Sequence, residues 1–256
     1  MNKKVIYTSL TGNYDSLFQP LVVDRNFDYI CFSNDINEER IGVWEIREIP
    51  FTNNDNTRLS RYVKLLPHKV LQCYEYSLWM DANMQISSKE LYEIVDQRIE
   101  EGYPIYQVLH PREDCIYDEI RYGYLGRKVS LKEARRQFNH LKKEGFPRHY
   151  GLYENGLLLR KHNDAITIAI SEKWWNEYQL YSHRDQFSLS YVYWLNSIKP
   201  RLLFDEYHCA RNVGCIIYHV HPRRLSGLKR YKFIKFIGGY LRTAFRFVMQ
   251  KLFLRD

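Results

Sequence analysis

The chain lacks any uninterrupted apolar run close to the roughly 20 residues that a membrane-spanning helix needs. Its first residues, Met1 to Thr8, also lack the apolar segment of a secretory signal, so we expect no such signal. The five cysteines are scattered and include no C-x-x-C pair, which argues against a zinc finger and against a disulfide framework. Together these absences predict a protein of the reducing cytoplasm.

Excess positive charge is also missing from most of the chain, although the formal net charge of the 256 residues is +8. After Pro222 there are ten basic residues and one acidic residue, whereas residues 1–222 hold 28 basic and 29 acidic residues. A body with a net charge of −1 lacks the basic surface typical of nucleic-acid binding, so we expect no nucleic-acid partner. The shift in composition predicts a main domain over 1–222 and a basic tail over 223–256.

Short apolar segments alternate with segments of helical periodicity, which favours an α/β fold with a mainly parallel sheet. The predicted strands are 3–9, 28–33, 43–47, 77–80, 103–108, 156–160 and 215–219, and the predicted helices are 55–74, 88–101, 131–143, 164–178 and 184–195. Pro67 is expected to kink the first helix. In such sheets the site lies beyond the carboxyl ends of the strands. Five residues near predicted strand ends are therefore expected at one edge: Thr8, Gly12, Asp81, His110 and His219.

The predicted strand that ends at Met80 is followed by Asp81-Ala82-Asn83, with two oxygen-bearing side chains two positions apart. In an extended segment such side chains point to the same side. Mg²⁺ and Mn²⁺ prefer oxygen ligands and are often shared with a substrate diphosphate. The motif therefore predicts either a nucleotide–metal site or a plain strand-ending turn, since Asp and Asn also favour turns.

Two further segments have both a functional and a structural interpretation. Arg58, Arg61 and Lys64 recur every three residues, so they share one helix face that either neutralises a diphosphate or is simply solvated. Asn155-Gly156 leads into a core strand, where the glycine either permits close backbone approach or forms a turn.

Three more segments are rich in polar side chains. Asp185-Gln186 opens a predicted helix, so Asp185 either complements the helix dipole or serves as a catalytic or orienting carboxylate. His219 and His221 flank a strand end, where an imidazole binds a metal or makes structural hydrogen bonds. His110-Pro111-Arg112 follows a strand and is suited to contact a sugar or an acceptor.

In this order, the segments resemble the GT-A class of nucleotide-sugar glycosyltransferases. In that class a nucleotide-binding strand is followed by a basic helix, a D-x-D strand end, an N-x-G-type strand, a D-Q helix start and a late His. More closely, roughly residues 3–222 are similar to the glycosyltransferase-like domain shared by plant mucilage-related proteins and bacterial polysaccharide-cluster enzymes. The segments that carry the resemblance are Tyr7-Thr8-Ser9, Arg61–His68, Leu78–Asn83, His110–Arg112, Asn155-Gly156, Asp185-Gln186 and His219 or His221.

The resemblance implies a Rossmann-like GT-A fold with three αβα layers. It implies an enzyme that moves a sugar from a nucleotide-diphosphate sugar to a glycan or lipid-linked acceptor in bacterial surface polysaccharide synthesis. The implied nucleotide-sugar-binding residues are Thr8, Gly12, Tyr14, Arg61, Lys64, Asp81, His110, Arg112, Asn155 and Gly156. The implied ligands of Mn²⁺ or Mg²⁺ are Asp81, Asn83, His219 and His221, and the implied catalytic residues are Asp185, as a base or a sugar-orienting group, and Gln186.

Asn83 departs from the GT-A pattern, which usually places a metal-binding Asp at this position. An amide is a neutral and weaker ligand, so the departure supports an alternative, a catalytically silent nucleotide- or glycan-binding protein of the same fold. A nucleotidyltransferase is less favoured, because the Thr11–Tyr14 turn lacks the glycine-rich basic loop expected after its first strand.

Residues 228–255 combine basic side chains with a broad apolar face, which predicts a basic amphipathic helix on an anionic membrane surface. Lys232, Lys235, Arg242 and Arg246 fall near one face of that helix. The alternative is a terminal helix packed on the core or on a second subunit. We expect a peripheral protein on the cytoplasmic face of the inner membrane.

Overall fold

The computed structural model describes residues 3–12, 14–219, 246–249 and 251. The strands are β1 Lys4–Ser9, β2 Phe27–Phe32, β3 Arg40–Ile41, β4 Trp44–Arg47, β5 Tyr76–Met80, β6 Met84–Ile86, β7 Ile105–Leu109, β8 Tyr153–Arg160, β9 Arg201–Leu202 and β10 Ile216–Tyr218. The helices are α1 Asn56–Leu65, α2 Pro67–Val70, α3 Glu90–Glu101, α4 Ile116–Leu125, α5 Leu131–Lys143, α6 Ala165–Leu180 and α7 Leu189–Leu195, with a 3-10 helix at Asp185–Phe187. Residues 246–249 and 251 are also helical.

Alternation of side chains along the central strands produces three layers. In β1, Val5 and Tyr7 face a buried cluster shared with α1 and α6, whereas Ile6 faces a second cluster shared with α3. Successive residues of a strand point to opposite faces, so an apolar run such as this one needs cover on both sides. The expected three-layer αβα arrangement is therefore confirmed.

The main sheet has eight described strands in the order β3-β4-β2-β1-β5-β8-β7-β9. The pairs β1–β2, β1–β5, β2–β4 and β7–β9 are parallel, which confirms the mainly parallel sheet. Strand β8 is antiparallel to both β5 and β7. The carboxyl ends of β1, β5 and β7 and the amino end of β8 therefore meet at one edge of the sheet.

A second, two-stranded sheet pairs β10 with β6, and Tyr218 lies opposite Met84. Pairing continues past the strands, because the His219 amide donates to the Asn83 carbonyl oxygen at 2.8 Å. This small sheet brings the last described residues of the body beside the end of β5.

The predicted helix over 55–74 is two helices. Asp55 is the N-cap of the first, and its carboxylate accepts a hydrogen bond from the Thr57 amide at 2.8 Å. Leu66 leaves the helical region with φ −117° and ψ 54°, since the ring of a following proline disfavours helical backbone. The predicted helix over 184–195 likewise divides into the 3-10 helix and α7.

Helix α4 is absent from the sequence-based prediction. Its buried residues include Tyr117, Ile120 and Tyr124, which lie three and four positions apart as helical packing requires. Gly123 lies on the same buried side and breaks the apolar pattern. A Cβ at Gly123 would lie 2.3 Å from Cζ of the fully buried Phe187, so the glycine permits α4 to pack against the 3-10 helix.

The predicted tail helix over 228–255 falls outside the described residues except for 246–249 and 251. In that short piece Arg246 donates hydrogen bonds to the backbone oxygens of Tyr124, at 2.8 Å, and Val129, at 3.1 Å. Met249 packs against the cluster built around α4 and α5. These contacts agree with the packed-helix alternative at this point of the chain.

No helix among the described residues is both long enough and apolar enough to cross a bilayer, as expected.

Replacing Gly123 with alanine should destabilise the protein by about 1–3 kcal/mol, because Phe187 has no room to accept the added methyl group. Urea unfolding of both proteins measures the difference. Gly214→Ala is the control, since nothing lies within 4 Å of a Cβ there, and it should change stability by less than about 0.5 kcal/mol. Equal unfolding midpoints for the two variants would contradict the packing described here.

Candidate functional site

Asp81 follows β5 at the sheet edge where the strand ends meet. Its amide donates to the Gly156 carbonyl oxygen at 2.9 Å, so the antiparallel strand β8 fixes the position of its backbone. The Asp81 side chain is 35% exposed, while the strand before it is fully buried. A carboxylate thus emerges from the core at a defined point.

One oxygen of the Asp81 carboxylate is already bound by neighbouring side chains. Asp81 Oδ1 accepts hydrogen bonds from Trp79 Nε1 at 2.8 Å and from Lys64 Nζ at 3.2 Å. Trp79 is two positions before Asp81, so both side chains project to the same side of the strand. This geometry orients the carboxylate and directs Oδ2 toward Gly156.

Helix α1 supplies a buried cation between two carboxylates. Lys64 Nζ lies 2.7 Å from Asp185 Oδ2 and 3.2 Å from Asp81 Oδ1, and the Lys64 side chain is 2% exposed. Arg61 Nε lies 3.3 Å from the same Asp185 oxygen. Of the three basic residues predicted on one helix face, Arg61 and Lys64 therefore point inward. Arg58, one turn earlier, instead forms an ion pair with Asp55.

The charges of this cluster keep Asp185 ionised. Burial alone would raise the pKa of Asp185, but the nearby charges of Arg61 and Lys64 outweigh it and hold that pKa well below its ordinary value. Burial likewise opposes the charge of Arg61, and Asp185 and Asp81 raise the pKa of that guanidinium. A carboxylate held in this way accepts hydrogen bonds well and takes up a proton poorly.

Asn83 and His219 make structural contacts close to Asp81. Asn83 is buried, and its side-chain amide donates to the His219 carbonyl oxygen at 3.0 Å. The His219 ring stacks on Phe18 with 3.7 Å between ring centroids, and its Nε2 lies 2.9 Å from Gln85 Oε1. Both predicted metal ligands are thus engaged in structural contacts, and His221 lies outside the described residues.

One oxygen of the Asp81 carboxylate is left for a divalent cation. The described side-chain donors, Trp79 and Lys64, both bond to Oδ1, whereas Oδ2 accepts no hydrogen bond among the described residues. Mg²⁺ is commonly held by one or two carboxylates together with substrate phosphates, which fits a single available carboxylate oxygen. Among the predicted ligands within the described chain, Asp81 is the one suited to hold such an ion.

A small cleft adjoins Asp81 on the side of β1. Its lining includes Thr8, Phe18, Trp44 and Gln85. Thr8 Oγ1 is buried and has no hydrogen-bond partner among the described residues, so it is available to a ligand in the cleft. The aromatic walls offer flat apolar contact of the kind that a nucleoside base requires.

Gly12 and Tyr14, which were predicted to bind the nucleotide, lie in the loop after β1. Gly12 has a left-handed φ of 66°, and a Cβ there would lie 2.3 Å from Asn56 Nδ2. Its amide donates to Asp35 Oδ2 at 2.5 Å. Tyr14 is 46% exposed. Neither residue lines the cleft.

Gln186 supports an irregular stretch of β8. The register between β7 and β8 shifts between Gln107 and Val108, which leaves backbone groups of β8 without ladder partners. Gln186 Nε2 donates to the Tyr153 carbonyl oxygen at 2.5 Å, and Gln186 Oε1 accepts from the Asn155 amide at 3.3 Å. Both ends of its side-chain amide thus bond to the backbone of β8, and its catalytic role stays a prediction.

Asn155 is also buried beside this irregular stretch. Its Oδ1 accepts a hydrogen bond from Gln107 Nε2 at 3.0 Å, and its Nδ2 has no partner among the described residues. The free amide nitrogen remains available to a ligand near the amino end of β8.

His110 and Arg112 lie at the end of β7, on the far side of β8 from the cleft. The His110 amide donates to the Leu152 carbonyl oxygen at 3.0 Å, and the His110 ring lies 3.8 Å from Glu119 of α4. Burial, reinforced by the charges of Arg112 and Arg211, lowers the pKa of His110 to about 4. His110 is therefore neutral at pH 7.

Four residues of this edge escaped the sequence-based prediction: Trp79, Glu119, Glu154 and Arg211. Trp79 carried a usable signal, because it lies two positions before Asp81. Glu154 could also have been noticed, because it adjoins Asn155 in the polar start of a strand. It is buried and forms an ion pair with Arg211. Glu119 and Arg211 carried no signal, because their positions depend on the packing of α4 and of the loop before β10.

Comparison with known proteins assigns the class. Residues 3–212 match the family model described as TOD1/MUCI70, glycosyltransferase-like domain. Because the match covers most of the chain, the chain belongs to this family, which is a GT-A-type glycosyltransferase family. No curated protein matches the chain. The family assignment supports a role in glycosyl transfer, with a nucleotide-sugar donor and a glycan acceptor in general.

Two solved structures are similar to the fold. The apo crystal structure of mouse xyloside xylosyltransferase 1 is 11% identical with a TM-score of 0.42, over 78% of this chain and 84% of that one. The apo structure of the bifunctional glycosyltransferase WbbM is 10% identical with a TM-score of 0.41, over 75% of this chain and 37% of that one. Both similarities are too distant to support an inference, so the assignment rests on the family match.

Asp185→Asn should lower stability at pH 7 by about 3–5 kcal/mol, because it leaves two buried cations without their shared counter-charge. A depressed pKa in the folded state stabilises above the ordinary carboxyl pKa, and that contribution is lost as the pH falls below about 4. The difference in unfolding free energy between wild type and Asp185→Asn should therefore become smaller in acid. Urea unfolding from pH 7 to pH 3 measures it.

Glu206→Gln is the matched control, since it neutralises an exposed carboxylate. Its unfolding free energy should follow that of the wild type across the range. A gap for Asp185→Asn that stays constant with pH would show that Asp185 is not held ionised by the cluster.

Proposed function

We propose that the protein transfers a sugar from a nucleotide-diphosphate sugar to a glycan or lipid-linked acceptor in bacterial surface polysaccharide synthesis. The observation that carries the proposal is the buried cluster of Arg61, Lys64, Asp81 and Asp185 at the sheet edge. Its two cations can offset charge on a diphosphate, and the adjoining cleft is lined by Phe18 and Trp44, aromatic residues of the kind that contact a nucleobase.

In this proposal the nucleobase of the donor lies in the cleft along β1, and the diphosphate of the donor lies against Asp81. When a leaving diphosphate develops negative charge, fixed cations stabilise the transition state more than the ground state. Arg61 and Lys64 supply such charge without moving. Mn²⁺ or Mg²⁺ held at Asp81 Oδ2 would offset the same charge as a Lewis acid.

Asp185 is proposed to orient the transferred sugar. A general base works best when its pKa lies near the working pH, whereas the pKa of Asp185 is held far below that range. An ionised, fixed carboxylate instead accepts hydrogen bonds from sugar hydroxyl groups and holds the ring in place. This favours the orienting role over the role of a base.

A second hypothesis is a silent protein that binds the nucleotide sugar without turnover. Asn83 favours it, because the side-chain amide at this position binds the backbone of His219. Measuring release of nucleoside diphosphate from the bound donor, with and without Mn²⁺, separates the two hypotheses. Release in the presence of an acceptor supports the transferase, and binding without any release supports the silent protein.

Sugar donors based on UDP, GDP, CMP and dTDP should differ in their effect on the melting temperature. At about 100 times its Kd, a bound donor adds about 2.7 kcal/mol, which corresponds to a rise of roughly 5–10 °C for a chain of this size. Differential scanning fluorimetry, with and without Mn²⁺, measures the rise. Absence of a shift with all four nucleotides would contradict donor binding.

Asp81→Ala identifies the cation ligand in the same assay. The variant should lose the part of the shift that depends on Mn²⁺, because it removes the available carboxylate oxygen. Glu206→Gln should retain the full shift. A Mn²⁺-dependent shift that survives in Asp81→Ala would place the cation elsewhere.

We also propose that the basic tail holds the protein on an anionic membrane surface at the cytoplasmic face. Support comes from the sequence, which places ten basic residues and one acidic residue after Pro222. Each basic residue near such a surface contributes about 1 kcal/mol. A docked enzyme would have direct access to lipid-linked acceptors.

Changing Lys232, Lys235 and Arg242 together to Gln should weaken binding to anionic vesicles by about 100-fold, since three charges contribute about 3 kcal/mol. Co-sedimentation with phosphatidylserine-containing vesicles measures the binding. The control changes three exposed body lysines, Lys132, Lys142 and Lys143, to Gln. Equal losses in both triple variants would show a general charge effect and contradict a tail-specific role.

A further inference from the structure

The sheet edge beyond β8 carries a group of cations separate from the Arg61–Lys64 pair. Arg112 follows the end of β7, and Arg184 immediately precedes the 3-10 helix that carries Asp185. Lys128 follows α4, and Arg211 forms an ion pair with Glu154 at the amino end of β8. We call Arg112, Lys128, Arg184 and Arg211 the β7-side cations.

Packing brings these residues to one place. Phe187 lies against Gly123 of α4, while Gln186 bonds to the backbone of Tyr153 and Asn155 in β8. The segment that starts at Arg184 is therefore wedged between α4 and β8. The His110–Glu119 contact joins the end of β7 to the same helix. Arg184 and Arg112 accordingly approach this helix from two neighbouring elements.

The electrostatics agree with this convergence. Arg112, Arg211 and Lys128 all act on His110, and Lys128, Arg184 and Arg112 all act on Glu119. Burial raises the pKa of Glu119. Among the nearby carboxylates, Glu154 forms an ion pair with Arg211, and the charge of Arg184 also acts on Asp185.

Two of the cations have no carboxylate partner within the described chain. Neither Arg112 nor Arg184 has a carboxylate within 4.0 Å among residues 3–12, 14–219, 246–249 and 251. Arg184 Nε is buried and has no hydrogen-bond partner among those residues. A desolvated guanidinium nitrogen is costly unless a ligand pairs with it.

We propose that the β7-side cations form an acceptor subsite that binds an anionic group, either a carboxylate of an acidic sugar or a phosphate. The inference rests on the proposed function, because it takes the donor to lie on the β1 side of Asp81. The subsite then lies across β8 from the nucleotide cleft, where an acceptor must approach the transferred sugar. The planar guanidinium of arginine suits both carboxylate and phosphate, since it donates two parallel hydrogen bonds.

The test compares three probes by calorimetry, with the donor site filled by the free nucleotide of the sugar donor that gives the largest thermal shift. The probes are methyl glucoside, methyl glucuronide and glucose 6-phosphate. At least one anionic probe should bind about tenfold or more tightly than the neutral glucoside, and the two anionic arms separate carboxylate from phosphate. Equal binding of all three probes would overturn the proposal.

Arg112→Gln/Arg184→Gln should weaken binding of the preferred anionic probe about 10- to 100-fold, as expected for the loss of charge-assisted hydrogen bonds. Binding of methyl glucoside should not change. The control is Arg25→Gln/Arg201→Gln, which removes two exposed charges elsewhere and should keep the anion preference. An unchanged preference in the Arg112/Arg184 variant would overturn the proposal.

Two further measurements separate loss of the anion subsite from a folding defect and from failure of the donor site. Arg112→Lys/Arg184→Lys tests folding, because it retains charge and should recover part of the anion preference. The thermal shift with the nucleotide sugar tests the donor site. A shift that is absent already in the wild type contradicts the proposed function itself. A shift lost only in Arg112→Gln/Arg184→Gln assigns the cations to the donor and overturns the acceptor subsite.

Discussion

The Lys64 ammonium group, placed between Asp81 and Asp185, is the interaction on which the arrangement of the site depends. It links helix α1 to the end of β5 and to the 3-10 helix, three elements far apart in sequence. Its backbone is fixed as well, because the buried Arg160 guanidinium donates to the Lys64 carbonyl oxygen at 2.7 Å. Loss of a partner from a buried ion pair costs about 3–5 kcal/mol, so these elements are held in one geometry. Two cations and two carboxylates are thereby fixed in position at this edge of the sheet.

The position of β8 divides the edge into two halves. On one side, β1 and β5 border the cleft with Thr8 and Asp81; on the other, β7 ends at His110 and the proposed anion subsite. Asn155, Gly156 and Gln186 lie along the division. A transfer reaction needs two substrates that meet without sharing a pocket, and a strand that begins between two strand ends provides that separation.

The sequence allowed the layered fold and the position of Asp81 at the end of a buried strand to be predicted, because apolar periodicity and polar strand ends are local patterns. The break at Leu66 was also foreseeable, since a proline acts on the residue before it. Helix α4 was not foreseeable, because Gly123 interrupts its apolar pattern for the sake of Phe187, a partner 64 positions away. The inward direction of Lys64 and the structural role of Asn83 depend on contacts with Asp185 and His219, and no local pattern specifies such contacts.

Asn83 and His219 are joined by two hydrogen bonds, one from the His219 amide to the Asn83 carbonyl oxygen and one from the Asn83 side chain to the His219 carbonyl oxygen. Asn83 is two residues from Asp81, so the end of the small sheet and the end of β5 are mechanically coupled. A displacement of either segment would therefore be passed on to the other, and the small sheet acts as a brace for the carboxylate of Asp81.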